Sequence, residues 1–358
     1  MNVGRLRCRV STGFSNDKGR EHTSEGARIG LTSHLAAGDI RWVSEMRKQQ
    51  QQHRCTGLAG AGLLIAVFLT PVLARPFPAS GQTRVDSSPP STAAARFAVI
   101  GDAGTADEYQ LAVARQMLAE YQRKPFSFVI TVGDNTYQGC KNRLKDVFEI
   151  PYEALLSRGV RFYATLGNHD EDCAAEQIAY PPFNMNGNRY YTFKPAGNLV
   201  EFFAIDTTLV VNGKASEQFD WLERVLRESK AVWKIAFFHH PAFSPAKKHG
   251  DDKDIALRIV PLIERYGVRV ALTGHDHILA KLLTRNGVDY IVCGASAKMR
   301  SNGIRADYPG LEYAEDEFRG FFIVELTAES FDYSVISDSG VVRYRGSVPL
   351  APAKANAN

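Results

Sequence analysis

Beyond Ala74 the sequence has no excess of positive charge, although the whole chain of 358 residues carries a formal net charge of +4. The first 54 residues contain ten Lys and Arg against five Asp and Glu, and residues 55–74 contain no charge. Everything after Ala74 therefore sums to −1. This excludes a basic nucleic-acid footprint outside the leader. With 44% hydrophobic residues, the chain has enough apolar material for a substantial core.

Charge is also missing from an apolar stretch at 57–74, which ends in Val-Leu-Ala, a pattern that resembles a signal-peptidase site. A start at Met46 would give this stretch a basic amino-terminal region of normal length. We therefore interpret residues 1–45 as a spurious or disordered extension and residues 46–74 as a signal peptide. The alternative is a membrane anchor formed by 57–74, although eighteen residues broken by Pro71 are marginal for spanning.

Histidine is scarce, and each of the six histidines beyond the apolar stretch lies in a short motif. The motifs are Asn168-His169-Asp170, His239-His240-Pro241, His249-Gly250 and Gly274-His275-Asp276-His277. Two further motifs place carboxylates after strand-like runs: Gly101-Asp102-Ala103-Gly104 and Gly133-Asp134-Asn135-Thr136-Tyr137. Together they are typical of a two-metal hydrolytic site, in which Asp, Asn, His and Tyr from successive loops converge on a pair of ions.

Cysteine is scarce as well, with five in the chain, of which two belong to the leader. Cys140 and Cys173 lie on two loops that are expected to meet at the metal site, and in an oxidising compartment they would be able to pair. The alternative is two unpaired thiols. Cys293 lies in the apolar run YIVCGA, which predicts a buried packing residue.

Strand-like and helical patterns alternate beyond the linker. The first strands are predicted at 96–101, 126–133 and 161–166, with helices at 107–123 and 143–157. Later segments predict strands at 190–193, 200–206, 234–238 and 268–273, helices around Trp221 and at 253–266, a hairpin at Asn286-Gly287, and two or three antiparallel strands in 320–346. The βαβαβ start predicts ligands at the carboxyl ends of parallel strands. The predicted fold class is α/β, with two stacked mixed β-sheets flanked by helices.

Over residues 95–345 the chain resembles the calcineurin-like metallophosphoesterases and, within them, the purple acid phosphatases of the small tartrate-resistant type. Five motifs in the right order, each after a predicted strand, carry this resemblance. It implies an αββα sandwich and a catalytic domain at 95–348. A disordered linker at 75–94 would precede this domain, and a disordered tail at 349–358 would follow it.

The resemblance also implies the metal ligands. Metal 1 takes Asp102, Asp134, Tyr137 and His277, while metal 2 takes Asp134, Asn168, His239 and His275. Asp134 occupies the bridging position of the family. Two cations ~3.5–4 Å apart neutralise the charge of a phosphate ester and activate a water as hydroxide for direct attack.

Tyr137 indicates which kind of ion metal 1 is. Most members of the wider superfamily have a histidine ligand where this chain has Gly104, and a phenolate three residues after Asp134 restores the ligand count. A hard anionic oxygen favours a trivalent ion. The expected ions are Fe(III) at metal 1 and Fe(II), Zn(II) or Mn(II) at metal 2. The animal enzymes usually have a tyrosine at the position of His240. This difference does not affect a ligand, but it leaves open which substrates the protein prefers.

His169 and His249 are not ligands in the family pattern, and we predict that they bind phosphoryl oxygens and protonate the leaving group. The alternative for His169 is a supporting role that holds Asn168 in place. The alternative for His249 is a solvated loop residue beside two lysines.

Three other polar segments are interpreted as having no part in the metal site. The acidic run 170–172 is interpreted as a solvated loop, Asp206 as a cap or turn residue, and the Lys and Arg residues in 298–305 as an ordinary charged loop.

The sequence thus predicts an exported acid phosphatase, periplasmic or secreted, that hydrolyses small-molecule phosphomonoesters or phosphorylated peptides. After signal cleavage no membrane partner is expected, and no nucleic-acid partner. One alternative is a phosphodiesterase acting on cyclic nucleotides or phospholipid head groups through the same metals. The other is a metal-dependent surface-binding protein without turnover.

Overall fold

The computed structural model describes residues 95–139 and 143–350, which form two β-sheets flanked by helices. The predicted leader segments, the linker 75–94 and Cys140 lie outside these residues, as does most of the predicted tail. Among the described residues, no helix is both long and apolar enough to cross a membrane.

The first sheet has six strands in the order β13-β12-β11-β1-β2-β3. Their bounds are β1 Ala95–Ile100, β2 Phe128–Val132, β3 Arg161–Thr165, β11 Gly320–Leu326, β12 Ser330–Ser337 and β13 Val342–Pro349. Strands β1 to β3 are parallel, whereas β11 pairs antiparallel with β1 and continues into an antiparallel meander. The carboxyl ends of β1, β2 and β3 therefore share one edge.

The second sheet has seven strands in the order β10-β8-β9-β7-β6-β5-β4. Their bounds are β4 Tyr191–Phe193, β5 Val200–Ala204, β6 Trp233–Phe237, β7 Val270–Thr273, β8 Leu279–Leu282, β9 Asp289–Cys293 and β10 Leu311–Glu315. Strands β5, β6, β7 and β9 run parallel to one another. Their carboxyl ends give this sheet a second loop-bearing edge.

Helices cover the outer faces of the two sheets. Their bounds are α1 Glu108–Arg123, α2 Ile150–Leu156 after a π-helical turn Lys145–Glu149, α3 Ala174–Ala179, α4 Thr207–Val211, α5 Ser216–Glu228, α6 Lys253–Arg258 and α7 Val260–Arg265. Short 3₁₀ turns occupy Asn168–Cys173, Pro181–Phe183 and Gly197–Leu199. Helices α5 to α7 bury apolar residues against the outer face of the second sheet.

Aromatic side chains fill the space between the sheets. The rings of Phe97 on β1 and Phe128 on β2 stack with centroids 4.9 Å apart, and Phe202 on β5 meets them edge-on at 5.3 and 5.6 Å. All three rings are almost completely buried. Each such side chain removes a large apolar area from water, and edge-to-face contacts add to that gain. The stacked arrangement of the two sheets rests on this core.

Most predicted elements are confirmed within a few residues. Asn286 and Gly287 have φ angles of +47° and +86°, which a tight hairpin turn of this kind requires, and β8 pairs with β9 as predicted. The predicted helix 253–266 is instead two helices that meet at Ile259, two residues before Pro261, which lacks the amide hydrogen that a continuous helix needs. Strand β10 was not predicted, and β13 extends one residue past the predicted domain boundary.

Candidate metal centre

The loops that carry the predicted metal ligands meet at one place, where the carboxyl edges of the two sheets come together. Asp102 follows β1 and Asp134 follows β2, and both carboxylates are buried. The two sheets are tied together here, because the backbone amide of His275 donates to Asp102 Oδ2 at 2.9 Å. His239 reaches back to the first sheet through Nδ1, which lies 2.9 Å from the carbonyl oxygen of Val132.

One group of donor atoms surrounds Tyr137. The Tyr137 hydroxyl lies 3.1 Å from Asp102 Oδ1 and 3.3 Å from His277 Nε2, and those two atoms are 3.4 Å apart. Asp134 belongs to the same group, since its carboxylate, that of Asp102 and the His277 ring offer ligand atoms that all lie within 4.8 Å of one another. These four residues are the predicted ligands of metal 1.

A second group surrounds His239 Nε2. That atom lies 3.1 Å from Asn168 Oδ1, 3.2 Å from His275 Nδ1 and 3.4 Å from Asp134 Oδ1. The four residues are the predicted ligands of metal 2. Asp134 therefore takes part in both groups, as a bridging carboxylate must.

The tautomer of His239 tests whether this second group fits a cation. The Val132 carbonyl can only accept a hydrogen bond, so in the neutral His239 ring Nδ1 carries the proton and Nε2 presents a lone pair. That lone pair faces the carbonyl oxygen of Asn168 and the carboxylate of Asp134. Converging acceptor atoms repel one another unless a positive charge lies between them. The residues therefore fit a bound metal ion.

The electrostatics around Tyr137 support the same conclusion. Burial raises the pKa of Asp102 well above its usual value, and the charge of Asp134 raises it further. Burial, Asp102 and Asp134 also raise the pKa of Tyr137 well above its usual value. Burial lowers the pKa of His277 to about 4, with the nearby Arg300 as a further cause, so the ring is neutral and able to ligate. Buried acids crowded in this way are destabilising without a cation.

Gly104 shows why a tyrosine completes the first group. A Cβ added at Gly104 would lie 2.0 Å from the carbonyl oxygen of Asn135, so the position has no room for any side chain. The backbone there is fixed by two hydrogen bonds, from the Gly104 amide to the Asp134 carbonyl and from the Tyr137 amide to the Gly104 carbonyl. The same tight loop thus leaves no space for a histidine at position 104 and holds the backbone of Tyr137 beside the first donor group.

Asp170 is a supporting residue that the sequence interpretation missed. It is fully buried, which makes the solvated-loop interpretation wrong for this residue. Its carboxylate accepts hydrogen bonds from the amides of Gly167, Asn135 and Thr136, and from Gln177. Asp170 thus joins the loop of Asp134 to the loop of Asn168. The sequence did contain a sign of this role. Asp170 lies three residues after Gly167, which precedes a short 3₁₀ helix, and a side chain at that position can cap the start of the helix.

The two predicted proton donors lie beside the ligand groups and are exposed. The ring of His169 lies 4.7 Å from the Tyr137 ring, and its backbone amide donates to Asp134 Oδ1 at 3.1 Å. The ring of His249 lies 4.2 Å from the ring of His275. Both side chains therefore border the metal centre from the solvent side. Within the described residues, the His169 ring forms no hydrogen bond with Asn168.

Three other predicted residues are now placed. Asp206 caps α4 by accepting the amide of Leu209, so its predicted cap role is confirmed. Cys293 is a buried free thiol, as predicted. Cys173 is disulfide-bonded, while its predicted partner Cys140 lies outside the described residues.

Known proteins resemble this chain in sequence. A family model described as calcineurin-like phosphoesterase matches residues 95–279. Tartrate-resistant acid phosphatase type 5 of Rattus norvegicus is 28% identical over 300 residues, which cover 72% of this chain and 91% of the relative. Purple acid phosphatase 4 of Arabidopsis thaliana is 29% identical over 243 residues, which cover 60% of this chain and 71% of the relative.

Solved structures share the fold. GAP50, described as the anchor in the inner membrane complex of Plasmodium, gives a TM-score of 0.64 at 20% identity and covers 73% of this chain and 90% of its own. A purple acid phosphatase from seeds of yellow lupin, Lupinus luteus, gives a TM-score of 0.60 at 16% identity, with 71% and 53% covered. At these identities the likeness concerns the fold alone.

Proposed function

The chain belongs to the calcineurin-like phosphoesterases, a family of metal-dependent phosphoric ester hydrolases, and we propose that it is an exported acid phosphatase of the purple acid phosphatase type. The observation that carries this proposal is the pair of donor groups that share Asp134. Hydrolysis of phosphomonoesters is the activity that such a centre supports best.

The proposed centre divides its work among named residues. Asp102, Tyr137 and His277 would hold one cation, Asn168, His239 and His275 the other, and Asp134 both. When bound, the two cations would neutralise the charge of the phosphate group and lower the pKa of the attacking water. His169 and His249 border the centre from solvent, where an imidazole could give a proton to the leaving oxygen.

The ligand types support Fe(III) at the site of Tyr137 and Fe(II), Zn(II) or Mn(II) at the other. Tyr137 has a raised pKa in the metal-free protein, so its phenolate form requires a strongly polarising ion. Two carboxylates and a phenolate are hard anionic ligands, which favour a trivalent ion over a divalent one.

The oxidised, iron-loaded protein is expected to be coloured, with a visible band from charge transfer between the Tyr137 phenolate and Fe(III). Tyr137→Phe should bleach this band, because phenylalanine offers no oxygen to the metal. Visible spectra together with iron analysis of both proteins check the result. A colourless wild type that contains iron would contradict the iron assignment.

Monoester and diester substrates distinguish the proposed function from the phosphodiesterase alternative, because both would use the same metals. The metal-replete protein should hydrolyse phenyl phosphate faster than bis(4-nitrophenyl) phosphate. A preference for the diester would favour the alternative. Failure on both substrates would favour a surface-binding protein without turnover, a role that has no need of two donor groups that share a carboxylate.

We further propose that the protein is exported after cleavage between residues 74 and 75. Protein recovered from the exported fraction should then begin near Arg75, and amino-terminal sequencing checks this. A chain that keeps residues 57–74 and fractionates with membranes would instead show that the segment is an anchor.

A further inference from the structure

Two basic residues of the loop after β9 are attached to the metal centre. The backbone amide of Lys298 donates to the carbonyl of Asp102 at 3.1 Å, and that of Arg300 donates to the carbonyl of His277 at 3.0 Å. Both acceptors belong to proposed metal ligands. The loop is therefore held against the centre and is more than the ordinary charged loop that its sequence indicated.

The side chains of these residues lie beside the donor groups. The Lys298 ammonium is 4.6 Å from the centroid of the Tyr137 ring and lies over its face, whereas the Tyr137 hydroxyl points to Asp102 and His277. Arg300 lies two residues further along the loop, at the point where its backbone amide meets the carbonyl of His277. Its positive charge is also a cause of the lowered pKa of His277, after burial.

Neither cation has an ion-pair partner among the described residues, although both side chains are half-buried. Arg305 on the same loop shows the contrast, since it pairs with Asp251 and donates to the carbonyl of Ser244. Each unpaired cation in a partly buried position loses hydration without gaining an opposite charge. An anion that binds both would offset this cost.

We propose that Lys298 and Arg300 are specificity-determining residues that bind a second phosphoryl group of the substrate. This inference rests on the proposed phosphatase function, in which the donor groups hold the phosphoryl group that is transferred. A planar guanidinium fork and an ammonium together suit a phosphate in both geometry and charge. The preferred substrates would then be phosphomonoesters that carry a further phosphate.

Propyl phosphate and propane-1,3-diol bisphosphate form a matched pair of substrates, because they differ in the second phosphoryl group. In both, water adds to phosphorus and the ester P–O bond breaks, and the leaving oxygen takes a proton to give an alcohol and inorganic phosphate. The wild type should prefer the bisphosphate. In the double variant Lys298→Ala with Arg300→Ala, the ratio of kcat/KM for bisphosphate over monophosphate should fall about 10- to 100-fold.

The double variant Lys214→Ala with Lys230→Ala is the matched control. It also removes two positive charges, but from exposed lysines that form no ion pair in the described part of the chain. For this control, the ratio of kcat/KM for bisphosphate over monophosphate should equal that of the wild type. That result would exclude a general effect of net charge. Melting temperatures of all variants verify that they are folded.

Equal losses on both substrates would overturn the proposal, since they would place the cations on the transferred phosphoryl group. An unchanged ratio would also overturn it. Calorimetry on the metal-replete proteins gives a readout without turnover: methylenebisphosphonate should bind more tightly than inorganic phosphate, and the double variant should lose that advantage. If the wild type hydrolysed neither ester, the proposed function would fail, while calorimetry would still decide the role of Lys298 and Arg300.

Discussion

Asp134→Ala is expected to remove metal and hydrolytic activity together. Asp134 is the carboxylate that takes part in both donor groups, with its Oδ1 atom 3.4 Å from His239 Nε2 and its ligand atom close to those of Asp102 and His277. Without it, neither group keeps its full set of anionic ligands. Activity should fall about 10³-fold or more, because a metal centre supplies several kcal/mol of transition-state stabilisation and each ~1.4 kcal/mol is worth tenfold in rate.

Two measurements test this expectation: the metal content by elemental analysis, and kcat on phenyl phosphate. Asp134→Asn is a useful second variant, since the residue has a φ of +52° and asparagine tolerates such a backbone better than most residues. It keeps the shape of the side chain and removes the negative charge. Asp220→Ala on the exposed face of α5 is the control and should keep both metals. Asp134→Ala protein with two metals and full activity would refute the bridging assignment.

Stability separates loss of metal from loss of fold. In the metal-free protein, burial and the charge of Asp134 raise the pKa of Asp102, so at neutral pH the charged form of Asp102 is destabilised in the folded state. Removal of Asp134 relieves that repulsion. Asp134→Asn removes the charge but keeps an acceptor oxygen and suits the backbone, so this metal-free variant should melt at a temperature at least as high as that of the metal-free wild type. A large decrease would indicate a structural role instead.

His169→Ala is expected to keep both metals and to lose activity selectively. The His169 ring is exposed beside Tyr137, and it belongs to neither donor group. If it protonates the leaving oxygen, turnover of an alkyl phosphate should fall by ~10²–10⁴. An activated aryl phosphate, whose phenolate leaves without a proton, should lose much less. The measurement is kcat on both substrates with metal-replete protein.

His249→Ala is the matched variant, because His249 borders the centre on another loop and is also exposed. A selective loss on the alkyl phosphate in this variant, and not in His169→Ala, would reassign the proton donor to His249. Equal losses on both substrates in His169→Ala would point instead to stabilisation of charge in the transition state.

Most of the fold could be predicted because its parallel strands are apolar and end at polar motifs. Strands β1, β2 and β3 and the helix α1 lie within a few residues of their predicted bounds. The split between α6 and α7 and the strand β10 were missed. A proline near the start of a helical turn is compatible with either one helix or two, and β10 has only half-buried side chains, so its alternation is weak.

The sequence by itself determined the residue types of the site and the order in which they occur. Asp102, Asp134 and Asn168 follow successive parallel strands, and such strands bring their carboxyl ends to one edge, so their meeting could be expected from the chain. Their chemistry follows from the side chains themselves, which need no knowledge of distance to be recognised as oxygen and nitrogen ligands.

Only the tertiary structure decided which further polar residues lie against that site. Asp170 reads as one member of an acidic run, yet it is buried and joins two loops, and Lys298 and Arg300 read as surface charges, yet they lie against the ligands. Burial and pairing arise when segments far apart in the chain pack together, and periodicity along one segment carries no information about that partner.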